Sequence, residues 1–386
     1  MQTPERFRAL PDHFWSRLRA LLDVHEPGSP DGGAPVNMTI GEPRHAYPAW
    51  VEEGMGAGPY GRYPSNPGTD ELLASISGWI GRRHGAEVEP SRIMALNGTR
   101  EGLFGAALAL CPEEKGGARS AVLIPDPFYQ VYAVGAAAAG AEPVFLPCTE
   151  ATGFLPDFGA VPADVLDRTA LVYLCTPSNP QGAVASEGYL ADLLALAERH
   201  DFAVFSDECY SEIYRGGPPV GIMGAAAKAG ADPERAYMFN SLSKRSSVPG
   251  LRSGFVAGGP DGMARIRELR AYAGAPLPGP AQAVSARLWA DEGHVEASRA
   301  LYADKLALAE RIFGDAPQAG FFLWLRAPEG DEAAALRLWR EAGVRVLPGS
   351  YLSREGIGRD RIRVALVADI TEVERGLTAI AATLQA

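Results

Sequence analysis

Short apolar runs alternate with helix-like segments through the middle of the chain. Several of these runs are continuously apolar, which is typical of strands that are covered on both faces of a sheet. The candidate strands are Ser120–Pro125, Pro143–Leu146, Ala170–Cys175, Phe202–Ser206, Arg235–Asn240 and Gly254–Ala257. Helical patterns lie among them at Glu101–Leu110, Phe128–Ala139 and Glu187–His200. This alternation predicts an α/β fold with a mostly parallel central sheet sandwiched by helices.

The pattern changes beyond about residue 275. A long helical stretch, Pro280–Arg311, leads into a short β region made of Phe321–Leu325, Val344–Leu347 and Arg361–Leu366. A chain of 386 residues is too long for one simple core. We therefore expect a large domain of residues 49–275 and a smaller α/β domain formed by residues 1–48 together with residues 276–386.

The charge balance narrows the classes of function. The formal net charge is -11, which argues against nucleic-acid binding because that normally needs a basic face. Small anionic substrates remain compatible with this charge, since a few buried arginines can bind carboxylates inside an acidic protein.

Cysteine spacing and the N-terminal segment indicate the compartment. Cys111, Cys148, Cys175 and Cys209 lie far apart without a C-x-x-C pair, which favours reduced buried thiols over disulfides or a metal site. Charged residues interrupt the first 23 positions, so we expect no signal peptide. The longest apolar stretches are too short to span a bilayer. We expect a soluble, cytoplasmic protein.

Polar residues follow the candidate strands at the points where open α/β sheets bind ligands. Asp126 lies between two prolines after the first of these strands, and a Thr-Pro-Ser-Asn-Pro segment ends at Pro180. Asp207 and Glu208 follow another strand, and Ser241–Lys244 follows the next. These positions define the expected site.

The segment around Lys244 carries the most information. A lysine in a Ser/Gly/Pro loop is more often a solvated surface residue, but this one follows a buried strand and has hydroxyls beside it. A lysine that forms a Schiff base must spend time as a neutral amine, so its pKa must fall. Arg245 and Arg252 are candidates for that effect. The hydroxyls of Ser241 and Ser243, with Arg252, also suit a phosphate dianion.

The S-x-S-K motif that ends at Lys244, followed by G-x-R-x-G around Arg252, resembles the signature of fold-type I aminotransferases that depend on pyridoxal phosphate (PLP). The resemblance extends over nearly the whole chain. It implies a PLP cofactor held as a Schiff base on Lys244, no metal, and amino-group transfer between amino-acid and keto-acid substrates.

The resemblance also assigns the phosphate and ring contacts of the cofactor. Gly98 and Thr99, at the start of a helix, match a phosphate cup, although a helix N-cap alone produces the same pattern. Tyr129 matches the aromatic residue that stacks on the pyridine ring, whereas we expect Phe128 to pack in the core. Asp207 matches the partner of the pyridine nitrogen.

Two further residues match those that contact the phenolic oxygen of the cofactor. Tyr210 is similar to the tyrosine that hydrogen-bonds this oxygen, and Asn179 matches the asparagine that contacts the same atom. An Asn-Pro pair is otherwise only a turn signal.

The loop Arg62–Gly68 resembles the loop that reaches into the active site of the neighbouring subunit. Tyr63 would then contact the phosphate of the partner protomer. This resemblance implies a homodimer with shared active sites; a surface Pro/Gly loop is the alternative.

Substrate contacts are expected near both ends of the chain. Arg363 alternates with apolar residues on a short strand and matches the arginine that binds the substrate α-carboxylate. Arg361 would share that face by strand alternation, while Arg359 would be exposed. The Ile40-Gly41-Glu42-Pro43 segment resembles one that closes over substrate, with Gly41 close to the carboxylate.

The combined motifs look closest to succinyldiaminopimelate aminotransferases, which use glutamate as the amino donor in lysine biosynthesis. The several carboxylates of such a substrate would suit extra cations such as Arg100 or Arg245. Related aspartate, alanine and aromatic aminotransferases share most of the pocket. A PLP-dependent C–S β-lyase would use the same Lys244 and Asp207. The third alternative, a regulator with an N-terminal DNA-binding module, is disfavoured because the aminotransferase-like pattern has begun by Gly41.

Overall fold

A computed structural model describes residues 4–8, 13–30, 32–58 and 60–385. The helices are α1 Phe14–Leu22, α2 Trp50–Gly56, α3 Asp70–His84, α4 Thr99–Leu110, α5 Gln130–Ala138, α6 Ala163–Asp167, α7 Glu187–His200, α8 Ile222–Ala229, α9 Leu242–Arg245, α10 Pro260–Ala273, α11 Gly279–Ala290, α12 Gly293–Phe313, α13 Asp331–Ala342 and α14 Ile370–Gln385.

The strands fall into one large sheet and three small ones. They are β1 Val36–Asn37, β2 Ile93–Leu96, β3 Glu114–Lys115, β4 Ala118–Arg119, β5 Ala121–Asp126, β6 Glu142–Pro147, β7 Thr169–Cys175, β8 Ala203–Asp207, β9 Ala236–Ser241, β10 Gly254–Ala257, β11 Phe322–Arg326, β12 Val344–Arg345, β13 Leu347–Pro348 and β14 Arg361–Ala365.

The central sheet has seven strands in the order β2-β10-β9-β8-β7-β5-β6. The pairings of β5 with β6 and β7, of β7 with β8 and of β8 with β9 are parallel, while β10 is antiparallel to both of its neighbours. Most of these strands are buried along their whole length, because helices cover both faces. The mostly parallel sheet predicted from the sequence is confirmed, and β2 is an additional strand at its edge.

The helices of the large domain begin and end at recognisable sequence signals. The Ser186 hydroxyl caps α7 by accepting from the Tyr189 N–H at 3.1 Å, and the Thr69 hydroxyl caps α3. Gly85 ends α3 in the left-handed conformation that glycine adopts readily. These local signals explain why the bounds of α7 agree with its sequence pattern.

The smaller domain centres on a three-stranded antiparallel sheet in the order β11-β14-β13. Its core includes Phe321, Leu338 and Ile362, while Leu18 and Leu22 of α1 pack beside Tyr351 and Leu352. The stretch Pro280–Arg311 is helical, as predicted, but it is divided into two helices, α11 and α12. The prediction of one strand at Val344–Leu347 was wrong, because this segment is divided between β12 and β13, which belong to different sheets.

The domain boundary at residue 275 stays a prediction. Helix α11 packs on α3, and the ring centroid of Trp289 lies 4.8 Å from Trp79 and 5.1 Å from Phe255 in the core under the large sheet. On this ground we propose that the large domain continues through α11.

The two domains meet at the carboxyl edge of the large sheet. At the end of β5, the Asp126 carboxylate accepts from the Ser353 hydroxyl and from the N–H groups of Arg354 and Glu355. The Phe128 N–H donates to the Leu352 carbonyl at 2.9 Å. These contacts hold the loop after β13 over the strand ends.

The four cysteines are buried free thiols, as their spacing predicts. Within the described ranges, no helix is long and apolar enough to cross a membrane, and no cluster of His, Cys, Asp and Glu side chains is arranged to hold a metal ion.

Candidate active site

A cavity of about 360 Å³ lies between the carboxyl edge of the large sheet and the small domain. The β-sheet register aligns Cys175 with Asp207 and Asp207 with Phe239, so residues at these strand ends open onto one edge. Eleven sequence-predicted site residues line the cavity: Gly41, Thr99, Tyr129, Asn179, Asp207, Tyr210, Ser241, Ser243, Lys244, Arg252 and Arg363.

Lys244 reaches the cavity from the short helix α9, which follows β9 directly. Its Nζ donates to the Gly41 carbonyl and lies 5.6 Å from the ring centroid of Phe321. Burial lowers the pKa of Lys244 to about 8, and the charges of Arg363 and Arg252 act in the same direction. Roughly a tenth of this amine is therefore neutral at pH 7, far more than of a lysine with the usual pKa.

Arg245 does not contribute to the cavity, so both roles expected for it from the sequence were wrong. Its guanidinium points away and is buried, donating to the carbonyls of Leu288 and Asp291 and pairing with Glu292 at 3.0 Å. It also lies 5.0 Å from the ring centroid of Trp289. The helical turn at Lys244 sends consecutive side chains in different directions, which sequence adjacency alone does not reveal.

Asp207 is a buried carboxylate at the end of β8. Its Oδ2 accepts from the Tyr132 hydroxyl at 2.8 Å, and its Oδ1 accepts from the Cys209 N–H at 3.3 Å. Burial raises the pKa of Asp207, while these hydrogen bonds and the charge of Lys244 oppose the rise. No ion pair to this carboxylate occurs in the part of the chain that the structure describes, so a cationic ligand atom would be its natural partner.

An anion-binding surface is formed where α4 begins beside Arg252. Gly98 precedes α4 at φ 80°, and no side chain caps the first turn of this helix. A Cβ at Gly98 would lie 2.2 Å from Nη2 of Arg252. The Thr99 hydroxyl lies 3.2 Å from the Cys209 thiol, and Ser241 and Ser243 line the same region. Free N–H groups, hydroxyls and a guanidinium suit a phosphate.

Tyr129 and Arg100 form one wall of the cavity. The Arg100 Nε donates to the Tyr129 hydroxyl at 2.6 Å, and burial raises the pKa of this tyrosine. The two Nη groups of Arg100 make no hydrogen bond to other described residues and remain available near the cavity. Phe128 is buried 5.0 Å from the Phe145 ring centroid, so the expectation that it packs in the core is confirmed although it also borders the cavity.

Arg363 links the small domain to both walls of the site. Its Nη1 donates to Oδ1 of Asn179 at 3.0 Å, and its Nη2 donates to the Thr39 carbonyl at 2.7 Å. The guanidinium lies 4.3 Å from the Phe322 ring centroid, and its buried Nε has no partner among the described residues. Burial lowers the pKa of Arg363 to about 10, so it stays a cation at neutral pH.

Tyr210 lies in the cavity with its ring held edge-on by two phenylalanines, at 5.3 Å from Phe321 and 5.8 Å from Phe322. Burial raises the pKa of Tyr210 well above its usual value, so its hydroxyl stays protonated and can donate a hydrogen bond.

The chain matches the family model described as aminotransferase class I and II over residues 34–380. The chain belongs to this family. An LL-diaminopimelate aminotransferase of Moorella thermoacetica is 31% identical over 394 residues, covering 95% of this chain and 95% of that protein.

Solved structures agree with this membership. An aminotransferase from Neisseria meningitidis superposes with a TM-score of 0.92 at 34% sequence identity, covering 99% of this chain and 100% of that chain. A probable N-succinyldiaminopimelate aminotransferase from Thermus thermophilus shares the fold with a TM-score of 0.84 at 24% identity, over 96% of this chain and 100% of that chain.

Class I and II aminotransferases depend on PLP, and the cavity of this aminotransferase fits that cofactor on three observations. The uncapped start of α4 faces Arg252 and suits the phosphate. Asp207 is a buried carboxylate that lacks a cationic partner in the described chain, which suits a protonated pyridine nitrogen. Lys244 is a buried amine whose pKa is lowered, which suits covalent attachment.

Three predicted residues of the aminotransferase lie outside this cavity, and only Arg361 departs from its expected position. Tyr63 is fully exposed and does not line the cavity of its own chain. Arg361 faces a neighbouring cavity of about 560 Å³ and pairs with Glu150, although it shares a strand face with Arg363. Arg359 is exposed, as expected.

Sequence reasoning missed several residues that line the site. Tyr132 had a signal, because it lies three residues after Tyr129 and therefore on the same side of α5. Phe322 and the pair Phe14 and Trp15 had none, because they reach the cavity only through the docking of the small domain.

Proposed function

We propose that Lys244 carries PLP and that this enzyme transfers amino groups to and from a dicarboxylic amino acid of the diaminopimelate class. The observation that carries the proposal is the buried Arg363, whose guanidinium faces the cavity that Lys244 also enters. Binding a substrate α-carboxylate at Arg363 brings its Cα towards the amine of Lys244. The paired amino donor and keto-acid product are glutamate and 2-oxoglutarate.

The cofactor residues divide into three groups. Gly98, Thr99, Ser241, Ser243 and Arg252 would hold the phosphate through N–H groups, hydroxyls and a guanidinium. Tyr129 would pack against the ring, and Asp207 would pair with the protonated ring nitrogen. Tyr210 and Asn179 would bind the phenolic oxygen.

PLP supplies the electron-withdrawing ring that makes a substrate Cα proton acidic. The chain would supply the proton transfer. Once the substrate amine has replaced the Lys244 amine on the cofactor, the freed neutral amine of Lys244 would take the proton from the substrate Cα as general base and then give it up as general acid. Arg363 and Asn179 hold the carboxylate still meanwhile, and Phe322 and Tyr210 exclude water from this side. Because donor and acceptor use the same site in turn, ping-pong kinetics are expected.

Arg100 supports the preference for a second carboxylate. It stands at the cavity wall opposite the small domain with both Nη groups free of other described residues, so a distal carboxylate can pair with it. N-succinyl-2-amino-6-oxopimelate, the acceptor expected from the motifs, brings such carboxylates. Free LL-diaminopimelate, named for the Moorella thermoacetica relative, has one as well.

The test compares kcat/KM for N-succinyl-LL-diaminopimelate, LL-diaminopimelate, aspartate, alanine and an aromatic amino acid, with 2-oxoglutarate as acceptor. We expect either diaminopimelate compound to exceed aspartate and alanine by at least about tenfold, and Arg100→Gln to remove most of this preference. Arg359→Gln, at an exposed arginine outside the cavity, is the control. A preference for aspartate overturns the substrate class. Pyruvate and ammonia released from cystathionine without a keto acid would indicate the C–S β-lyase instead.

We also propose a homodimer with shared sites, in which the exposed Tyr63 contacts the cofactor phosphate of the partner protomer. Mixing Lys244→Ala chains with Tyr63→Ala chains tests this arrangement. Mixed dimers should regain one site with both intact residues, so activity should exceed that of either parent. An active monomer would contradict the proposal.

A further inference from the structure

One wall of the active site is formed by residues 39–42, which we call the covering segment. Ile40, Gly41 and Glu42 line the cavity. The segment is held by two of its carbonyls: Gly41 accepts from Lys244, and Thr39 accepts from Nη2 of Arg363 at 2.7 Å. A Cβ at Gly41 would lie 2.4 Å from Cζ of Phe322, so the segment is packed tightly against the small domain.

The two donors to these carbonyls, Lys244 and Arg363, are the groups that bind cofactor and substrate in the proposed function. The inference rests on that function in this respect. A Lys244 nitrogen that is bonded to a cofactor no longer donates to Gly41 as an ammonium does. Arg363 must turn donors towards a substrate carboxylate. During the reaction these two contacts are lost, and the position of the covering segment therefore depends on the contacts at its upstream and downstream ends.

The upstream end is fixed by backbone pairing. Strand β1 runs parallel to β12, the Met38 N–H donates to the Arg345 carbonyl at 2.9 Å, and the Ala365 N–H donates to the Met38 carbonyl at 2.8 Å. The Thr39 hydroxyl donates to Oδ1 of Asn37 at 2.6 Å. This end belongs to the two-stranded β1-β12 sheet and is also bonded to Ala365, the last residue of the strand β14 that carries Arg363.

The downstream end is fixed by side chains, chiefly by His45, which packs against α12. Nε2 of His45 lies 2.6 Å from Nζ of Lys305, and Nδ1 lies 3.4 Å from the Ser298 hydroxyl. The His45 ring lies 4.4 Å from the Tyr302 ring centroid, and Nζ of Lys305 lies 5.1 Å from the same centroid. The neighbouring Arg44 makes only an exposed ion pair with Glu372 at 3.5 Å.

Lys305 is a buried lysine without a carboxylate partner in the described part of the chain, which is unusual for a residue with a purely structural role. It is 2% exposed and forms no ion pair with a carboxylate among the described residues, so its ammonium depends on His45, on the face of Tyr302 and on the more distant charge of Asp369. A buried charge without a direct counter-ion is expensive, and an apolar residue of similar size would be cheaper for stability alone.

The protonation states agree with a directed hydrogen bond. Burial lowers the pKa of Lys305 to about 8, and burial together with the Lys305 charge lowers the pKa of His45 to about 4. Between these values the Lys305 ammonium donates to a neutral imidazole. The Asp369 charge favours the ammonium, and the Ser298 and Tyr302 hydroxyls face the pair without titrating in this range.

His45 and Lys305 are connected to the active site through two aromatic rings, those of Tyr302 and Phe321. Tyr302 stacks on Phe321 with a centroid distance of 5.5 Å, and Phe321 contacts both Tyr210 and Lys244. We infer that His45 and Lys305 are positioning residues: their hydrogen bond anchors the downstream end of the covering segment and so sets how tightly the segment closes on a bound carboxylic substrate.

The experiment uses the holoenzyme with four variants. His45→Leu removes the acceptor, His45→Gln keeps an acceptor, Lys305→Met removes the donor, and the double variant removes both. Arg44→Gln, which deletes the exposed ion pair of the adjacent residue, is the matched control because such pairs contribute little. The readouts are KM and kcat for the keto-acid half reaction, melting temperature, and hydrogen exchange of the amides of residues 38–46 with and without cofactor.

We expect His45→Leu, Lys305→Met and the double variant to raise KM about tenfold with kcat within about twofold, which corresponds to the loss of one charge-assisted hydrogen bond. Exchange of the covering segment should accelerate in each. His45→Gln should restore KM to within about threefold, and Arg44→Gln should leave KM, kcat and exchange unchanged. Lys305→Met should keep or raise the melting temperature, because a buried charge is removed, while KM still rises.

If the variants lower the melting temperature but leave KM and the hydrogen exchange of the covering segment unchanged, the inference is overturned. The His45–Lys305 pair is then only a structural contact. If His45→Leu fails to fold, the comparison of Lys305→Met and His45→Gln decides alone. Failure of the proposed substrate class is distinguishable, because exchange in cofactor-free protein involves no substrate and the half reaction is measured with whichever keto acid the enzyme accepts.

Discussion

Tyr132 donates its hydroxyl to Oδ2 of Asp207 across 75 residues of sequence, from the first turn of α5 to the end of β8. The tyrosine is completely buried and stacks on Tyr173 with a centroid distance of 4.5 Å and an interplanar angle of 14°. Stacking on Tyr173 holds the Tyr132 ring in place, and the Tyr132 hydroxyl in turn holds Oδ2 of Asp207. The other oxygen accepts from the Cys209 N–H, so Asp207 has little freedom to turn.

The first prediction concerns this hydrogen bond. Tyr132→Phe keeps the stack but removes a donor that opposes the raised pKa of Asp207, so the carboxylate should hold a cationic ring nitrogen less well. We expect PLP affinity to fall at least about tenfold, in line with the ~1.5–3 kcal/mol of a hydrogen bond to a charged group. Absorbance titration of the apoprotein with PLP measures it.

Tyr173→Phe is the control for that variant. It removes the other hydroxyl of the stacked pair, which donates to the Leu103 carbonyl at 2.7 Å away from Asp207. The free energy of unfolding should fall by ~1 kcal/mol while PLP affinity stays unchanged. Equal losses of affinity in the two variants would show that the effect comes from packing.

The second prediction concerns pH. Burial disfavours the charged form of Lys244, so its pKa of about 8 lies below the usual value, and the neutral fraction rises as pH rises through 8. The rate at which apoprotein captures PLP covalently should rise between about pH 7 and 9 and level off above. Glu42→Gln removes a charge that raises this pKa, so the midpoint should move to lower pH. A midpoint near 10.5 would contradict the assignment.

The third prediction separates two arginines on β14. Arg363→Lys should raise KM for keto acids roughly a hundredfold, because an ammonium cannot bind a carboxylate in a planar fork as a guanidinium does. Arg361→Lys, two residues earlier and outside the cavity, should change KM less than about twofold. Steady-state kinetics at several 2-oxoglutarate concentrations gives both values, and equal effects would refute the carboxylate role of Arg363.

The fourth prediction concerns the start of α4. Gly98→Ala places a Cβ at 2.2 Å from Nη2 of Arg252 and strains a residue at φ 80°, so the Arg252 guanidinium must move. PLP affinity should fall at least about tenfold. Gly105→Ala, in the middle of the same helix where a Cβ meets no atom within 4 Å, should raise the melting temperature slightly and leave affinity unchanged. Inorganic phosphate should protect the parent protein against unfolding more than the Gly98 variant.

The sequence located elements well wherever a signal was local. The α7 bounds follow from the Ser186 cap and an amphipathic pattern, and β7 and β9 from continuous apolar runs. Most of the residues proposed for the cofactor line one cavity, because many of them follow a strand and the carboxyl ends of parallel strands share one edge. The strand β2 was missed, since four residues without alternation resemble many other segments.

Errors arose where a side chain's direction or a strand's partner decides the outcome. Arg245 was expected beside Lys244, yet one step along a helix turns it into the Trp79–Trp289 core. Arg361 was expected beside Arg363, yet its guanidinium pairs with Glu150 and lines another cavity. Val344–Leu347 looks like one strand but pairs with β1 at one end and with β14 at the other.

The sequence by itself determined the α/β architecture and the carboxyl-edge location of the cavity, which depend on periodicity and short-range order along the chain. Through the resemblance of its motifs to a known family, it also pointed to the lysine and aspartate proposed for the chemistry. Only the tertiary structure decided that Tyr132 holds Asp207, that Gly41 and Thr39 cover Lys244 and Arg363, and that His45 is tied to Lys305. These pairs join elements 75 to 324 residues apart. Such contacts follow from how helices and sheets pack in space, which no local pattern along the chain records.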